Sequence, residues 1–192
     1  FAIYGLAELH RECGDSEALE YAVKLFHSIE DHSFDSVQDG YFEAFTRDWK
    51  PIEDMRLSDK DEYATRTMNT HLHVMEAYTN LYRIWPDSRL KQSIQTLLNI
   101  FAQKLYNPTN GHIDLFFNDI WQGKRNIASY GHDIEAAWLL NEALQVIGDA
   151  DMQQSMQPII EHIARASQEG LQSDGSLKNI QLYSPPSSIL RS

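Results

Sequence analysis

Two histidines of the 192-residue sequence are each followed by a glutamate three positions later, His73 by Glu76 and His132 by Glu135. On an α-helix this spacing places both side chains on one face, so each carboxylate can orient or polarise its surroundings. Imidazole has an ordinary pKa of about 6.5, which suits general acid–base catalysis. A lone buried histidine is more often structural. Because the His-x-x-Glu pattern occurs twice, it favours two histidines that transfer protons.

The stretch around the first histidine, residues 69–83, predicts a buried helix with one polar stripe. Asn69, His73, Glu76 and Asn80 share a narrow face, and nearly every other side chain is apolar. A helix that is apolar almost all round is buried, and its polar groups must then be satisfied. The stripe either forms a hydrogen-bonded file inside a core or lines a wet cavity, as on the inner wall of a helical barrel.

Hydrophobic periodicity predicts six helices in three pairs. The first, third and fifth are apolar on most sides, whereas the others are amphipathic, as expected for the inner and outer layers of a ring. By the same periodicity Met75 and Trp138 are predicted as core residues, and Pro158 either kinks the last helix or marks its start. The helices are predicted over residues 1–13, 15–32, 68–85, 87–106, 129–147 and 151–168.

Each helix pair is followed by a turn sequence, Asp-Gly at 39–40, Asn-Gly at 110–111 and Asp-Gly at 174–175. These dipeptides favour tight turns and predict short β-hairpins, the third copy being the weakest. A helix–helix–hairpin unit repeated three times indicates a solenoid or a closed ring. The charged link 47–66 is predicted as a rim loop over a pocket or a solvated connector, and residues 179–192 as an irregular tail.

The composition excludes several classes of protein. With a formal net charge of −12, a nucleic acid or an anionic membrane surface is not an expected partner. The single cysteine, Cys13, excludes an internal disulfide and fits a reducing compartment. No apolar run approaches the roughly 20 residues of a membrane span, and no signal-peptide pattern opens the chain. We therefore expect residues 1–192 to form a single soluble, cytoplasmic domain.

Other chemistries have weaker support. The two His-x-x-Glu pairs are partly similar to di-metal carboxylate bundles, but those use the order Glu-x-x-His and glutamates from two further helices. We therefore predict no metal site. Cys13 has no partnered histidine, and the sequence has no glycine-rich phosphate loop. The remaining histidines outside the stripe helix carry no local pattern and receive no role: His10, His27, His32, His112 and His162.

Two segments carry a resemblance to a known family. Residues 69–83, Asn-Thr-His-Leu-His-Val-Met-Glu-Ala-Tyr-Thr-Asn-Leu-Tyr-Arg, resemble the signature helix of the cellobiose 2-epimerases, within the N-acylglucosamine 2-epimerase superfamily. Residues 129–140, Ser-Tyr-Gly-His-Asp-Ile-Glu-Ala-Ala-Trp-Leu-Leu, are similar to the second histidine helix of that family. The resemblance implies an all-α (α/α)₆ barrel, of which three helix pairs are about half. The chain, which begins inside a helical pattern, is therefore predicted to be a central-to-C-terminal piece.

The resemblance also implies an activity that needs no cofactor. It is the reversible C2 epimerisation of the reducing-end glucose of a β-1,4-linked disaccharide such as cellobiose or lactose, through an enediolate. In this interpretation His132 is the acid/base at C2, and His73 handles protons or hydrogen bonds near O1 and O2. The implied substrate-binding residues are Asn69, Glu76, Trp121 and Glu135. The family uses a further catalytic histidine toward its C-terminus that no position here matches, so this piece alone need not be active.

Several alternatives stay open at this stage. Asn69 could cap its helix, and Trp121 could be a core residue. His71 points away from the stripe and is predicted either to be structural or to support the residues that contact substrate. An N-acylglucosamine 2-epimerase or an aldose–ketose isomerase could use the same scaffold, and a helical-repeat interaction module is the non-enzyme alternative. The expected partner is a small sugar. The oligomeric state is left open, a monomer included.

Overall fold

The structure is a computed structural model that describes residues 1–56, 63–123 and 127–182. Every predicted helix is confirmed within a few residues of its expected ends. Pro158 lies inside the last helix and does not start it. The six α-helices of the described part are α1 (Ala2–Cys13), α2 (Ser16–His32), α3 (Met68–Ile84), α4 (Ser88–Ile100), α5 (Tyr130–Ile147) and α6 (Ala150–Ser167); a π-helical turn, Phe101–Leu105, extends α4.

Local signals set where these helices begin and end. The helices α2, α4 and α6 each begin after an aspartate, Asp15, Asp87 or Asp149, whose carboxylate accepts hydrogen bonds from backbone N–H groups of the first turn. The helices α1 and α5 end at glycines in the left-handed conformation, Gly14 and Gly148. Because these signals are short-range, the helical pairs could be read from the sequence.

The six helices form a double layer. In the inner layer α3 lies between α1 and α5, while in the outer layer α2 packs on α1, α4 on α3 and α6 on α5. Leu72, Met75 and Leu81 of α3 are fully buried at the centre of the core. The predicted alternation of inner and outer helices is therefore confirmed, as is the core position of Met75.

Each of the three turn sequences closes a hairpin. Single antiparallel bridges join Phe34 to Tyr41, Tyr106 to Ile113 and Leu171 to Leu177. In each turn the glycine has a positive φ, 120° at Gly40, 79° at Gly111 and 85° at Gly175. The third copy, predicted to be the weakest, therefore also closes a hairpin, with a loop one residue shorter than those of the first two.

Two small antiparallel sheets connect the helical pairs at the level where α3 and α5 begin. The strands are β1 (Arg66–Thr67), which pairs with β2 (Phe116–Phe117), and β3 (Ile127–Ser129), which pairs with β4 (Ile180–Leu182). The predicted irregular tail over 179–192 is corrected at its start, because the backbone of Ile180–Leu182 pairs with the strand that leads into α5. Residues 183–192 lie outside the described residues.

Apolar side chains remain exposed on two of the inner helices, α1 and α5. They include Tyr4 and Leu9 on α1, and Ile134 and Trp138 on α5. The prediction that Trp138 is a core residue is wrong: 61% of it is exposed, because no described element covers this face of α5. Open faces on α1 and α5 are nevertheless what an incomplete ring requires, and large exposed apolar patches are typical of surfaces that pack against further protein.

The sequence predicted no membrane-spanning segment. In the three described ranges, no helix is both long enough and apolar enough to cross a membrane.

Candidate functional site

A cavity of about 300 Å³ opens where α3 and α5 begin. We call it the central cavity. Its walls come from the first turns of both helices, from strand β2, from the segment after the first hairpin and from the link before α3. The described link residues favour the rim-loop interpretation, although residues 57–62 lie outside the described residues. The lining residues are Glu43, Met55, Arg56, Ala64, Thr67, Met68, Asn69, Leu115, Phe116 and His132.

His132 lies in the first turn of α5 and is half-buried in the central cavity. Its Nδ1 atom is 2.9 Å from Oγ of Ser129, the residue at the N-cap position of α5. Glu135 makes no hydrogen bond to His132 within the described chain. The partner of this imidazole is therefore three residues before it, where the sequence pattern predicted a carboxylate three residues after it.

His73 lies one turn into α3, and here the predicted pairing is found. Its Nδ1 atom is 2.9 Å from Oε2 of Glu76. The imidazole lines a second cavity, of about 310 Å³, between α3, α1 and α2. Asn69 lines both this cavity and the central one, so the two histidines lie in adjacent cavities that share one wall.

The structure brings together only part of the predicted site. Asn69 and His132 share the central cavity, with His73 on the other side of Asn69. Glu76 reaches a separate small space of about 50 Å³ near Arg83, and Glu135 is half-buried without lining any of the cavities described here. The alternative that Asn69 caps α3 is wrong, because the N-cap is Thr67.

Glu43 is a carboxylate of the central cavity that the sequence patterns did not identify. Its Oε2 atom accepts a hydrogen bond of 2.7 Å from the hydroxyl of Thr67, and the same hydroxyl oxygen accepts from the N–H of Thr70 at 3.1 Å. The hydroxyl of Thr67 thus both caps α3 and holds the carboxylate of Glu43. The available signal was indirect: Glu43 directly follows the first hairpin, on the segment that returns toward α3.

Trp121, predicted to stack on the sugar ring, lies outside the central cavity. Its backbone is in the left-handed region, with φ 62°. Its indole N–H donates to the carbonyl oxygens of Gln38 and Asp39, at 2.9 and 3.0 Å. The ring also packs tightly over Gly40, where a Cβ would come within 2.5 Å of it. These contacts fix Trp121 on the first hairpin, as in the alternative of a structural tryptophan.

A buried arginine stands beside this tryptophan. Arg66 is fully buried, with its guanidinium 4.5 Å from the ring centre of Phe42 and 5.2 Å from that of Trp121. Its Nη2 atom donates to the carboxylate of Asp35 and, at 3.2 Å, to the carbonyl oxygen of Asp119. Arg66 therefore joins the first hairpin to the loop after β2. No local pattern marked it, since its partners are remote in the sequence.

His71 is bonded to Thr67, one of the residues that line the central cavity. It is fully buried; its Nδ1–H donates to the carbonyl oxygen of Thr67 at 2.7 Å, and its Nε2 accepts from the N–H of Tyr41 at 2.9 Å. Burial lowers the pKa of His71 to about 4, so the ring is neutral near pH 7. The structural role predicted for His71 agrees with these contacts.

His112, which received no role from the sequence, pairs with the neighbour of His132. Its Nδ1–H donates to Asp133 at 2.8 Å, and the same carboxylate accepts from the N–H of Ile113 at 3.0 Å. Burial alone would lower the pKa of His112, but the hydrogen bond and charge of Asp133, with the charge of Glu169, outweigh burial and raise the pKa. The pair attaches the first turn of α5 to the second hairpin.

Across 1–56, 63–123 and 127–182, no group of three or more histidine, cysteine, aspartate or glutamate side chains is arranged to hold a metal ion.

Comparisons with known proteins agree on one family. A family model described as N-acylglucosamine 2-epimerase matches residues 1–175. A cellobiose 2-epimerase of Bacteroides fragilis is 54% identical over 177 residues, which cover 92% of this chain and 45% of that protein. One from Ruminococcus albus is 36% identical over 179 residues, covering 93% of this chain and 46% of its own length.

A solved structure gives the same result for the fold. The cellobiose 2-epimerase of Bacillus thermoamylovorans superposes with a TM-score of 0.86 at 39% identity, over 94% of this chain and 46% of that one. The chain thus spans about half the length of the relatives it matches.

Proposed function

The chain belongs to the N-acylglucosamine 2-epimerase family, and from this premise we propose that it forms part of a sugar epimerase acting on disaccharides. Its three helical pairs make up about half of an (α/α)₆ barrel. The observation that carries the proposal is the placement of His132 and His73 near the starts of neighbouring inner helices, in cavities separated by Asn69.

The proposed reaction is the reversible C2 epimerisation of the reducing-end glucose of a β-1,4-linked disaccharide. The sugar ring opens to the aldehyde, a base removes the proton from C2, and the electrons of that C–H bond form an enediolate. Return of a proton to the opposite face of C2 gives mannose. Each step moves one proton, so the chemistry asks for imidazoles within reach of C2 and of the oxygens on C1 and C2.

We assign the acid/base role at C2 to His132. Its Nδ1 atom is engaged by Ser129, so Nε2 is the nitrogen available to substrate. His73 is likewise held at Nδ1 by Glu76, and we assign it to the oxygens on C1 and C2. A further catalytic histidine, implied by the family resemblance, has no match in this chain. Activity is therefore proposed for the whole protein.

Substrate contacts form the next part of the proposal. We assign Asn69 a direct hydrogen bond to the sugar, and its place in the lining of both cavities supports this. Glu76 acts through His73, which it orients. For Glu135 and Trp121, substrate contact stays a prediction, because neither lines the central cavity. A cytoplasmic location also belongs to the proposal and rests on the single cysteine of the chain.

The test is proton exchange at C2 in the full-length protein. We expect cellobiose or lactose incubated in D₂O to yield the mannose-ended epimer with deuterium at C2, followed by NMR. His132→Asn keeps size and some hydrogen bonding but removes the titratable nitrogen, so turnover should fall by about 10²–10⁴-fold while sugar binding changes little.

Two results would contradict the proposal in different ways. C2 exchange at the wild-type rate in His132→Asn would pass the base role to the histidine outside this chain. Turnover of N-acetylglucosamine or free mannose, with none of a disaccharide, would instead favour one of the alternative activities on this scaffold.

A further inference from the structure

The two site histidines differ in what holds their Nδ1 atoms. His73 faces the carboxylate of Glu76, which when ionised can only accept a hydrogen bond. This fixes the proton of neutral His73 on Nδ1. His132 faces the hydroxyl of Ser129, which can either accept a proton from Nδ1 or donate one to it. A hydroxyl can therefore remain bonded to the ring whichever nitrogen carries the proton.

The position of Ser129 makes this bond unusual. Serine at an N-cap typically accepts a hydrogen bond from an N–H group of the first turn. Ser129 occupies the N-cap of α5, yet its side chain makes no capping bond. Only 3% of the residue is exposed, and in the described part of the chain its hydroxyl bonds only His132. The hydroxyl is thus committed to the imidazole.

The charged groups around His132 do not fix its proton. Glu43 and Arg56 line the central cavity, but Glu43 bonds Thr67 and Arg56 donates to the carboxylate of Asp54. Asp133, the next residue along the chain, bonds His112 on another element. Among the described residues, no carboxylate is hydrogen-bonded to His132.

We propose that Ser129 is a positioning residue that lets His132 carry its proton on either nitrogen without losing its hydrogen bond. The mechanistic consequence rests on the proposed function. With the proton on Nδ1, bonded to Oγ of Ser129, the lone pair of Nε2 takes the C2 proton and the ring becomes imidazolium. Return of the Nε2 proton to carbon reverses this step. With the proton on Nε2, Nδ1 accepts from Ser129, and Nε2–H donates a hydrogen bond to a sugar oxygen.

A spectroscopic test does not depend on activity. In the full-length protein labelled with ¹⁵N-histidine, two-bond ¹H–¹⁵N spectra report which ring nitrogen is protonated. For His132 we expect intermediate shifts at both nitrogens, the average of two neutral forms. His73 should show the Nδ1–H form alone, and Glu76→Gln should introduce a second form there, because an amide can also donate.

Variants of Ser129 separate the hydroxyl from the backbone position. Ser129→Thr keeps the hydroxyl and should retain the mixed signal. Ser129→Ala should shift His132 to the Nε2–H form, because a bare nitrogen is buried at less cost than an N–H without an acceptor. Ser167→Ala is the matched control: Ser167 is also buried, but its hydroxyl bonds the carbonyl oxygen of Ala164. It should leave both imidazole signals unchanged.

Kinetics supply the second readout. We expect Ser129→Thr to keep turnover within about twofold of the wild type and Ser129→Ala to lose about tenfold or more, with a displaced limb in the pH–rate profile. An unchanged proton distribution on His132 in Ser129→Ala would overturn the proposal, whether or not turnover falls, because the serine would then be merely structural. If no disaccharide is turned over, the proposed function fails while the spectra still decide the role of Ser129.

Discussion

Four histidines of this protein differ in the atom that faces the Nδ1 nitrogen. A backbone carbonyl holds His71, a carboxylate holds His73, a hydroxyl holds His132, and a buried carboxylate holds His112. These partners differ in whether they can donate, accept or carry charge. The same side chain is therefore a fixed structural link in one place and, in the proposed reaction, the group that moves a proton in another.

His71 should make the stability of the protein depend on pH. Its folded-state pKa of about 4 lies below the ordinary 6.5, so its contribution is complete above pH 6.5 and is lost as the pH falls toward 4. The shift corresponds to roughly 3 kcal/mol of unfolding free energy. Urea unfolding between pH 7.5 and 4.5 should show this loss.

Two variants check the assignment. His71→Asn should be less stable than the wild type at pH 7 but should show a smaller fall toward pH 4.5. His32→Gln, at an exposed histidine, should reproduce the wild-type slope. Equal slopes for the wild type and His71→Asn would show that His71 is not the group responsible. His112 works in the opposite direction, since its raised pKa contributes stability that is lost as the pH rises.

At the scale of elements, the start of α3 joins stability to the site. Thr67 caps the helix by accepting from the N–H of Thr70, and its hydroxyl donates to the carboxylate of Glu43. Its carbonyl oxygen accepts from the imidazole Nδ1–H of His71. One residue therefore connects a helix terminus, a cavity wall and a buried imidazole. The start of α5 is organised differently, since its N-cap serine bonds His132 and not the helix backbone.

This difference predicts unequal effects of two similar substitutions. Thr67→Ala removes a capping hydroxyl and should lower the unfolding free energy by about 1 kcal/mol, with a further loss from releasing Glu43. Thr67→Ser should retain most of the wild-type unfolding free energy, because serine keeps the hydroxyl. Ser129→Ala removes no cap and should be less destabilising than Thr67→Ala in the same chemical denaturation series. The reverse order would show that the two N-caps have been assigned wrongly.

A structural feature of this protein could be predicted from the sequence when the residues that determine it lie close together in the chain. Aspartate caps and terminal glycines act within a turn, so the helices and their pairing could be predicted. All three hairpins could also be predicted, because the glycine that marks each turn lies within the turn itself. The pairs His112–Asp133, Thr67–Glu43 and Arg66–Asp119 join separate elements, and nothing local marks either partner. The unexpected partner of His132 has another cause: two positions on one helical face were available, and periodicity cannot choose between them.

At the scale of the whole molecule, the exposed faces of α1 and α5 are the main departure from an ordinary globular domain. Trp138 and Ile134 project from one inner helix, and Tyr4 and Leu9 from another. Because the chain spans about half of its relatives, we expect these faces to be covered in the full-length protein.

Trp138 tests that expectation. Replacing an exposed side chain usually changes the unfolding free energy by less than about 0.5 kcal/mol, whereas truncating a buried tryptophan costs about 3–5 kcal/mol. In the full-length protein Trp138→Ala should therefore behave as a core substitution. Val37→Ala, at an exposed loop residue, is the control and should have little effect. A small loss for Trp138→Ala would mean that this face of α5 stays open to solvent.

The three hairpin turns should differ in how freely their glycines vary among natural relatives. A Cβ at Gly40 would lie 2.5 Å from Trp121 and 2.9 Å from His71, whereas one at Gly175 would meet nothing within 4 Å. The two positions also differ in φ, 120° at Gly40 and 85° at Gly175, and the smaller value lies closer to the left-handed region that asparagine tolerates better than most residues. Replacement of glycine by asparagine should therefore be tolerated at the third turn and excluded at the first. A repeat that began as equal copies would retain its glycine longest where the neighbouring elements have closed over it.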